Sequence, residues 1–151
     1  MQRVARARVE VGGEVIGSIG RGLLAYVGFG RGDADADRAW TLGKIVGLRV
    51  FEDEQGRMGR DLADAGGGLL LVSQFTLYGD LRRGRRPSFD EAMPPEEAER
   101  AYAAFVEEAR AAVAPGTRVE SGRFRADMQV ESVNDGPVTI WIDSAARTQA
   151  R

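Results

Sequence analysis

The chain has 151 residues, a formal net charge of −2, 43% hydrophobic and 29% charged residues, and neither histidine nor cysteine. This length and balance predict one globular domain, and the missing residue types exclude disulfides, thiolate metal sites and a histidine base. The mildly acidic charge argues against a general nucleic-acid-binding protein, and no apolar run approaches the ~20 residues of a membrane helix.

The first part of the chain predicts strands joined by glycine turns. Gly12-Gly13 predicts a turn into a strand at 14–19, and the continuous apolar run at 22–29 predicts a strand buried on both faces. Before them, residues 3–11 alternate between apolar and polar side chains, which predicts a half-buried strand. We expect its inner face to carry Ala5, Ala7, Val9 and Val11.

Two helices are predicted from apolar residues spaced by three and four. The first runs from about Asp35 to Val46, with Asp33 or Asp35 as its cap. The second begins at Pro94-Pro95, where proline and the following acidic residues favour a helix start, and it ends before Ala114-Pro115-Gly116. Its apolar face carries Ala98, Tyr102, Phe105, Ala109 and Val113.

The remaining predicted strands are short. We expect them at 48–51, 69–77, 119–124, 128–133 and 138–142, followed by a flexible polar tail at 144–151. Strands outnumber helices and connect mostly through glycine-containing turns. The sequence therefore predicts an α+β fold in which residues 1–143 form a single domain, with a curled, mostly antiparallel sheet covered by two helices.

Two short segments combine hydroxyl or amide side chains with a backbone-special position. Ser73-Gln74-Phe75-Thr76-Leu77 closes the most apolar predicted strand, and Asn134-Asp135-Gly136-Pro137-Val138-Thr139 leads into the last one. They resemble the signature motifs SQxTL and NxGPVT of the D-aminoacyl-tRNA deacylases. Further segments that resemble this family, in family order, are Gln2-Arg3-Val4, residues 84–89, and the stretch from Gly122-Arg123-Phe124 through Met128-Gln129-Val130.

The resemblance covers the chain up to about Asp143 and implies a barrel-like sheet that forms a homodimer. One departure is the start, because family members commonly carry a few residues before Gln2, which leaves the edge pairing of the first strand open. The implied activity is hydrolysis of the ester bond of D-aminoacyl-tRNA with rejection of L-aminoacyl-tRNA. Mischarged glycyl-tRNA is an expected further substrate, since glycine has no side chain to reject.

The first motif has two interpretations. Ser73 and Thr76 can satisfy their own backbone at a strand end, where an orphaned buried donor costs roughly 1–3 kcal/mol. The resemblance instead implies a catalytic oxyanion site at Ser73, Gln74, Phe75 and Thr76, with the N–H groups around Gln74 and Phe75 near the ester oxygen. Thr76 is disfavoured as a nucleophile because it needs a base, and the chain has no histidine.

The second motif is ordinary turn chemistry when it is taken alone. The resemblance implies that the Gly136–Pro137 bond is cis and that the dipeptide projects into the active site of the other subunit. A rigid carbonyl oxygen there leaves room for the hydrogen of a D-amino acid but not for an L side chain. Arg3 is then the arginine that steadies this loop, or else a strand-face charge, and Asn134 and Thr139 are expected to fix its geometry.

Substrate contacts are also implied residue by residue. Phe124 and Met128 would hold the terminal adenosine of tRNA, where stacking is worth ~1–3 kcal/mol per base, or else they are core residues. Arg82, Arg83, Arg85 and Arg86 form either a solvated loop or a contact to a few tRNA phosphates.

We therefore predict a cytoplasmic enzyme without metal or cofactor, whose partners are tRNA and a second copy of the chain, with no role for DNA or a membrane. In the family the 2′-hydroxyl of the terminal ribose is thought to assist hydrolysis. Asp127 and Asp135 are expected to be turn residues rather than bases. The alternatives are a non-catalytic RNA-end-binding protein and an esterase with a threonine nucleophile.

Overall fold

The computed structural model describes residues 1–147, which form eight strands and two α-helices. In chain order these are β1 (Gln2–Val11), β2 (Glu14–Ile19), β3 (Gly22–Val27), α1 (Asp35–Gly47), β4 (Phe51–Glu52), β5 (Met58–Arg60), β6 (Gly68–Ser73), α2 (Pro95–Ala112), β7 (Val119–Ser121) and β8 (Gln129–Thr139). Two 3-10 helices cover Phe75–Tyr78 and Ser144–Arg147. Arg147 pairs with Asp37 of α1 at 3.1 Å, and residues 148–151 of the predicted tail lie outside the described residues.

Six strands form one sheet in the order β2-β1-β3-β6-β7, with β8 also paired to β1. β8 lies along one edge of β1, and the other edge is shared by β3 near the start of β1 and by β2 near its end. The sheet curls so strongly that β2 approaches β7. A Cβ atom on Gly17 of β2 would lie only 3.1 Å from the carbonyl oxygen of Ser121 of β7. The sheet is therefore barrel-like, as the family resemblance implied.

The sheet is mixed: three of its five strand pairs are antiparallel, in keeping with the predicted mostly antiparallel sheet, and two are parallel. β1 pairs antiparallel with β2, β3 and β8, but β3 pairs parallel with β6, and β6 pairs parallel with β7. The cause is the path of the chain. α1 lies between β3 and β6, and α2 lies between β6 and β7, and a helical crossover returns the next strand in the same direction. Both predicted helices are confirmed.

β1 is a strand as predicted, but its buried face differs from the prediction. Asn134 pairs with Val4 and Val133 pairs with Arg6, so Ala5 has no partner on β8 and forms a bulge. A bulge shifts the alternation of side chains by one residue. Ala5 is consequently exposed, which corrects its predicted place on the inner face. The buried apolar residues of β1 are Val4, Ala7 and Val9.

β8 is one strand where two were predicted. Asn134 pairs with Val4, and Thr139 pairs with Gln2. Only Arg3 lies between these two β1 residues, so it faces four residues of β8, at 135–138. The turn chemistry of Asn-Asp-Gly-Pro therefore produces a wide bulge inside a strand rather than a reversal of the chain. This bulge, residues 135–138, is called the Gly-Pro bulge below.

β6 ends at Ser73, whereas the predicted strand continued to Leu77. The chain enters the 3-10 helix at Phe75, and the side chains of Phe75 and Leu77 are 57% and 37% exposed. Their apolar character thus does not reflect core burial. Hydrophobicity alone cannot separate a buried strand from an apolar surface turn, which is why the predicted strand was too long.

The central strands β3 and β6 are buried on both faces, as predicted for β3. The face under the two helices packs Leu23, Ala25, Leu69 and Leu71 with Leu42, Ile45, Tyr102 and Phe105. The face inside the curled sheet packs Leu24, Leu70 and Val72 with Val4, Val9 and Ile19. Strands packed on both sides are rigid, so the loops that follow them start from fixed positions.

Candidate active site

A cleft of about 630 Å³ opens where β3 and β6 end. Neighbouring parallel strands end at the same edge of a sheet, so the residues that follow them lie side by side. Two further segments complete the walls, one at 89–98 that enters the first turn of α2 and one at 124–130 leading into β8. Of the predicted site residues, those that line the cleft are Ser73, Gln74, Phe75, Phe124 and Met128.

The contact between the two strand ends is tight. The N–H of Gln74 donates a hydrogen bond to the carbonyl oxygen of Val27 at 2.8 Å, which fixes the first residue after β6 against β3. A Cβ atom on Gly28 would lie 2.9 Å from the carbonyl oxygen of Gln74, so this close approach requires glycine. The amide of Gln74 is therefore engaged within the protein and is not a free donor.

Two unpaired backbone amides follow Gln74. Among the described residues, the N–H groups of Phe75 and Thr76 have no hydrogen-bond partner, whereas the N–H of Leu77 donates to the carbonyl oxygen of Gln74. The first amides of a helical turn have no acceptor within it, so they are available to an external one. The ring of Phe75 packs edge-on against Phe89, with 4.9 Å between the ring centroids.

The hydroxyl of Thr76 accepts a hydrogen bond from Nε2 of Gln74, and the side chain of Thr76 is exposed. Within residues 1–147, no ionisable side chain is hydrogen-bonded to the hydroxyl of Ser73 or Thr76. A Ser or Thr nucleophile depends on such a base. The geometry therefore gives neither hydroxyl the partner that would activate it.

The turn at 124–128 is anchored to the core by Tyr102. The Tyr102 hydroxyl donates to the carbonyl oxygen of Leu71 at 2.9 Å, and its ring lies 6.1 Å from that of Phe124. Burial raises the pKa of Tyr102 to about 12. A Cβ atom on Gly122 would lie 2.7 Å from Sδ of Met128, so the glycine lets the thioether pack close to the backbone. Phe124 and Met128 are thus held beside the end of β6.

The Gly-Pro bulge lies outside the cleft of its own chain. Gly136 and Pro137 are exposed and line no part of that cleft, and the peptide bond between them is cis, as the resemblance implied. Gly136 has a φ of +132°, and a Cβ atom there would lie 2.8 Å from Cγ2 of Val138 and 3.0 Å from Nη2 of Arg3. Both the backbone angle and the crowding require glycine.

Asn134 and Thr139 close the base of the Gly-Pro bulge. Oδ1 of Asn134 accepts a hydrogen bond from the N–H of Val138 at 2.8 Å, and Nδ2 of Asn134 donates to Oγ1 of Thr139 at 2.9 Å. The side chain of Asn134 therefore bridges the two ends of the bulge. The role of the pair in the predicted site stays a prediction.

Arg3 supports the same bulge from below. Arg3 is only 6% exposed. Its Nε donates a hydrogen bond to the carbonyl oxygen of Asp135 at 2.9 Å, and its Nη1 donates one to the carbonyl oxygen of Val50 at 2.6 Å. Arg3 is the one charged residue that is buried in the described chain. Its guanidinium is therefore a buried hydrogen-bonding group and not a solvated strand-face charge.

The predicted arginine cluster lies on an exposed loop closed by backbone hydrogen bonds between Asp80 and Ser88. Arg82 pairs with Asp80 through Nε and Nη2, at 2.9 and 2.8 Å, and this guanidinium lowers the pKa of Asp80 to about 2. The charge of Arg82 is thus offset locally. Three arginines of the loop have no ion-pair partner among residues 1–147, and none of the four lines the cleft. These three are Arg83, Arg85 and Arg86.

The cleft differs in charge from a second cavity of about 420 Å³. The charged residues that line the cleft are Arg31, Arg125 and Asp127. The charged side chains that line the second cavity are Asp33, Asp37, Arg38 and Asp143. Burial and the nearby Asp33 carboxylate raise the pKa of Tyr78, which also lines the second cavity, to about 12. Positive residues outnumber negative ones only in the cleft, so the cleft is the better place for an anionic ligand.

Sequence reasoning missed four residues of this site. Tyr102 lay on the apolar face of a predicted helix, and nothing in its spacing indicated that its hydroxyl anchors β6. Phe89 and Arg31 lie outside both motifs, and the fold brings them to the cleft, whereas Arg125 directly follows the predicted site residue Phe124, which is its one signal in the sequence. The positive φ of Arg125, +60°, gives no signal in the sequence because most such positions carry glycine.

Two classes of site find no support in the described residues. Within 1–147 there is no group of three or more aspartate, glutamate, histidine or cysteine side chains placed to hold a metal ion. No helix in this part of the chain is both long and apolar enough to cross a membrane.

Comparisons with known proteins agree with the motifs. A family model described as D-Tyr-tRNA(Tyr) deacylase matches residues 1–143. A D-aminoacyl-tRNA deacylase of Symbiobacterium thermophilum is 58% identical over 144 residues, with 95% of this chain and 93% of the relative covered. One of Sorangium cellulosum is 59% identical over 145 residues, with 95% of each chain covered.

Two solved structures share the fold. One, titled "c-Myc DNA Unwinding Element Binding Protein", has a TM-score of 0.86 and 44% identity over 92% of this chain and 93% of its own. The other is described as a probable eukaryotic D-amino acid tRNA deacylase and has a TM-score of 0.75 over 90% of this chain and 92% of its own. At 20% identity, that second likeness concerns the fold alone.

Proposed function

The chain belongs to the D-Tyr-tRNA(Tyr) deacylase family, and we propose that it hydrolyses the ester bond of D-aminoacyl-tRNA to release the D-amino acid and free tRNA. The observation that carries this proposal is the full-length match to relatives named D-aminoacyl-tRNA deacylase, together with a cleft that gathers the first motif with Phe124 and Met128. As an enzyme of translation, it would act in the cytoplasm, which suits a chain without cysteine.

The carbonyl oxygen of the ester, which becomes negatively charged during the reaction, is stabilised by backbone amides at the start of the 3-10 helix. Attack by water places negative charge on the former carbonyl oxygen, and rigid donors aimed at that charge accelerate acyl transfer. Of the amides around Gln74 and Phe75 that were predicted for this role, Gln74 N–H is engaged by Val27, whereas Phe75 N–H has no partner in the described chain, and neither does the next amide, Thr76 N–H. We therefore assign the oxyanion contacts to Phe75 and Thr76, with Ser73 and Gln74 positioning them.

The terminal adenosine of tRNA occupies the wall formed by Phe124 and Met128. An unpaired base at an RNA end is bound by stacking on aromatic and apolar side chains. The ring of Phe124 is only partly buried, and both residues line the cleft beside the end of β6. This placement puts the ester of the terminal ribose near the unpaired amides.

Chirality is read by the Gly-Pro bulge of a partner subunit. Gly136 and Pro137 are exposed, held by Arg3 and Asn134, and absent from the cleft of their own chain, which is the arrangement that a cross-subunit contact needs. A main-chain carbonyl inserted near the α-carbon leaves room for the α-hydrogen of a D-amino acid. It clashes with the side chain that an L-amino acid places in the same position. The proposal therefore includes a homodimer. Glycyl-tRNA passes the same filter.

The proton transfers come from the substrate. Neither Ser73 nor Thr76 has a basic partner within the described residues, and the chain has no histidine or cysteine. The substrate itself carries a group able to assist a water molecule, the vicinal 2′-hydroxyl of the terminal ribose. A tRNA that ends in 2′-deoxyadenosine with its amino acid on the 3′ position should react far more slowly, and unchanged hydrolysis would contradict this step.

Phosphates of the acceptor stem contact the exposed arginine loop. Asp80 already neutralises Arg82, so Arg83, Arg85 and Arg86 are the available charges. Three exposed charges suit a few phosphates and not a whole tRNA. The net charge of −2 and the confinement of this cluster to one loop give no reason to propose DNA binding.

The decisive test compares matched D- and L-aminoacyl-tRNA. We expect rapid release of the D-amino acid and survival of the L-ester, measured by loss of the labelled ester over time. Equal hydrolysis of both would contradict the chiral filter, and survival of both would contradict the enzyme and leave the RNA-end-binding alternative. Thr76→Ala separates the esterase alternative, because near-complete loss of activity indicates a nucleophile, whereas modest loss agrees with substrate assistance.

A further inference from the structure

Arg125 has a backbone conformation that its side chain does not explain. Its φ is +60°, and it is the one residue other than glycine with positive φ among those described. Such a conformation is uncommon for a long side chain and costs energy, so a glycine would suit the turn better. Residues held in strained conformations concentrate at functional sites. The side chain of Arg125 is therefore a candidate for a function that offsets the strain.

The position of Arg125 points to the cleft. It follows Phe124 directly, lines the cleft and is exposed. Its guanidinium has no hydrogen bond or ion pair within residues 1–147, although Asp127 lies two residues further along the turn. A guanidinium without an internal partner on the wall of a cleft is free to bind an incoming anion.

Arg31 brings a second guanidinium to the same cleft from the turn after β3. Its N–H donates to the carbonyl oxygen of Glu91 at 2.9 Å, and its Nε donates to the carbonyl oxygen of Asp90 at 2.5 Å. These bonds orient the guanidinium, and its two terminal nitrogens have no partner in the described chain. Arg31 is thus a pre-oriented donor whose fork remains open.

We propose that Arg125 and Arg31 form an anion subsite for the phosphodiester on the 5′ side of the terminal adenosine. This inference rests on the proposed function, because it takes the base to lie on Phe124. Adjacent α-carbons are ~3.8 Å apart, so Arg125 lies beside that base, and a 5′-phosphate is separated from its base by a single ribose. Among residues 1–147, the two arginines are the sole positive residues that line the cleft.

The subsite has a consequence for substrate choice. The cleft would distinguish the end of a polynucleotide from a free aminoacyl nucleoside by one negative charge, close to the reacting ester. The arginine loop at 82–86 lies outside the cleft and cannot make this distinction on a single nucleotide. Short substrates therefore separate the two sets of arginines.

The test uses two small substrates, the D-tyrosyl ester of adenosine and the D-tyrosyl ester of adenosine 5′-methylphosphate, whose single charge matches a phosphodiester. The readout is the ratio of kcat/KM for the phosphorylated substrate to that for the unphosphorylated one. We expect the wild-type chain to prefer the phosphorylated ester by about fivefold, the upper range for an exposed ion pair. Arg125→Gly, which suits the positive φ, should lower this ratio toward one.

Three further variants sharpen the result. Arg31→Gln should lower the ratio, and Arg125→Lys, which keeps the positive charge on the same backbone, should retain most of it. Arg49→Gln is the matched control, because Arg49 is exposed and lines neither cavity, and it should leave the ratio and the activity unchanged. With full-length tRNA, Arg125→Gly should lower the slope of log affinity against log salt by about 0.7, the share of one single-strand phosphate.

The outcomes separate the two levels of inference. Cleavage of both esters with the same ratio in wild type, Arg125→Gly and Arg31→Gln would overturn the anion subsite and leave the proposed function standing. Cleavage of neither ester, together with survival of D-aminoacyl-tRNA, would overturn the proposed function and this inference with it. A ratio that falls in the two variants and not in Arg49→Gln is the expected result.

Discussion

The guanidinium of Arg3 donates a hydrogen bond from Nε to the main-chain carbonyl of Asp135, at 2.9 Å. The same guanidinium donates from Nη1 to the carbonyl oxygen of Val50, so it ties the Gly-Pro bulge to the start of β4. Two residues near opposite ends of the chain are therefore joined, and they hold a dipeptide that lies outside the cleft of its own chain. This relationship connects the first strand to the selectivity of the proposed reaction.

Arg3→Gln should weaken both the fold and the chiral selection. A shorter side chain leaves the carbonyl oxygens of Val50 and Asp135 without their donor, and an unsatisfied buried group costs roughly 1–3 kcal/mol of the free energy of unfolding. Chemical denaturation measures this cost. The matched control is Arg6→Gln on the same strand, where an exposed side chain should change stability by less than about 0.5 kcal/mol.

The same variant tests the function of the bulge. If Arg3 positions the Gly-Pro bulge, the ratio of D- to L-aminoacyl-tRNA hydrolysis should fall in Arg3→Gln at a temperature where the variant is folded. A destabilised variant with the wild-type ratio would show that Arg3 serves the fold alone.

Gly136→Ala should damage the proposed filter directly. A Cβ atom at this position meets Cγ2 of Val138 at 2.8 Å and Nη2 of Arg3 at 3.0 Å, on a backbone with φ of +132°. The bulge must shift, and a displacement of about 1 Å near reacting groups can cost about 100-fold in rate. We expect this loss in hydrolysis of D-aminoacyl-tRNA.

Gly116→Ala is the control for backbone strain. Gly116 also has a positive φ, +86°, but a Cβ atom there meets nothing within 4 Å, and the residue lies outside the cleft. Gly116→Ala should lower the free energy of unfolding without lowering the rate of D-aminoacyl-tRNA hydrolysis or its ratio to the rate for L-aminoacyl-tRNA. Equal catalytic loss in both variants would argue against a specific role for Gly136.

Phe75→Pro should test the oxyanion contact. Proline removes the N–H of residue 75 and is tolerated in the first turn of a helix, which Phe75 begins here. Loss of one oxyanion donor costs about 10²–10³ in rate. Phe75→Ala removes the same ring and keeps the N–H, so it serves as the control. Similar single-turnover rates for the two variants would exclude the amide from catalysis.

Tyr102 should make stability fall at alkaline pH. Burial raises the pKa of Tyr102 in the folded state to about 12, above its ordinary value near 10. The unfolded chain therefore releases the proton first, so the stabilisation is complete below about pH 10 and is lost as the pH rises toward 12. Tyr78, with its pKa raised to about 12, contributes in the same direction.

Tyr102→Phe separates the contribution of the Tyr102 hydrogen bond from that of the Tyr102 ionisation. At neutral pH the variant should lose about 1 kcal/mol, because the carbonyl oxygen of Leu71 loses one of its donors. Between about pH 10 and 12 its free energy of unfolding should fall less steeply than that of the wild type. Identical slopes in denaturation curves across this range would contradict the assignment.

Local sequence determined the helices, the motif chemistry and the family. Helical spacing and proline placed α1 and α2 almost to the residue, since these signals act over a few neighbouring positions. The absence of histidine and cysteine, a property of composition alone, limited the chemistry open to the chain. The residue types of the site were thus largely predictable.

The tertiary structure decided which of those groups are available and where they face. The bulge at Ala5 and the Gly-Pro bulge both arise from the pairing of β1 with β8. The amide of Gln74 is engaged because β3 ends beside it and offers the carbonyl oxygen of Val27. The positive φ of Arg125 and the burial of Arg3 likewise depend on contacts far along the chain. Strand register and burial are set by partners remote in sequence, so local patterns contain no record of them.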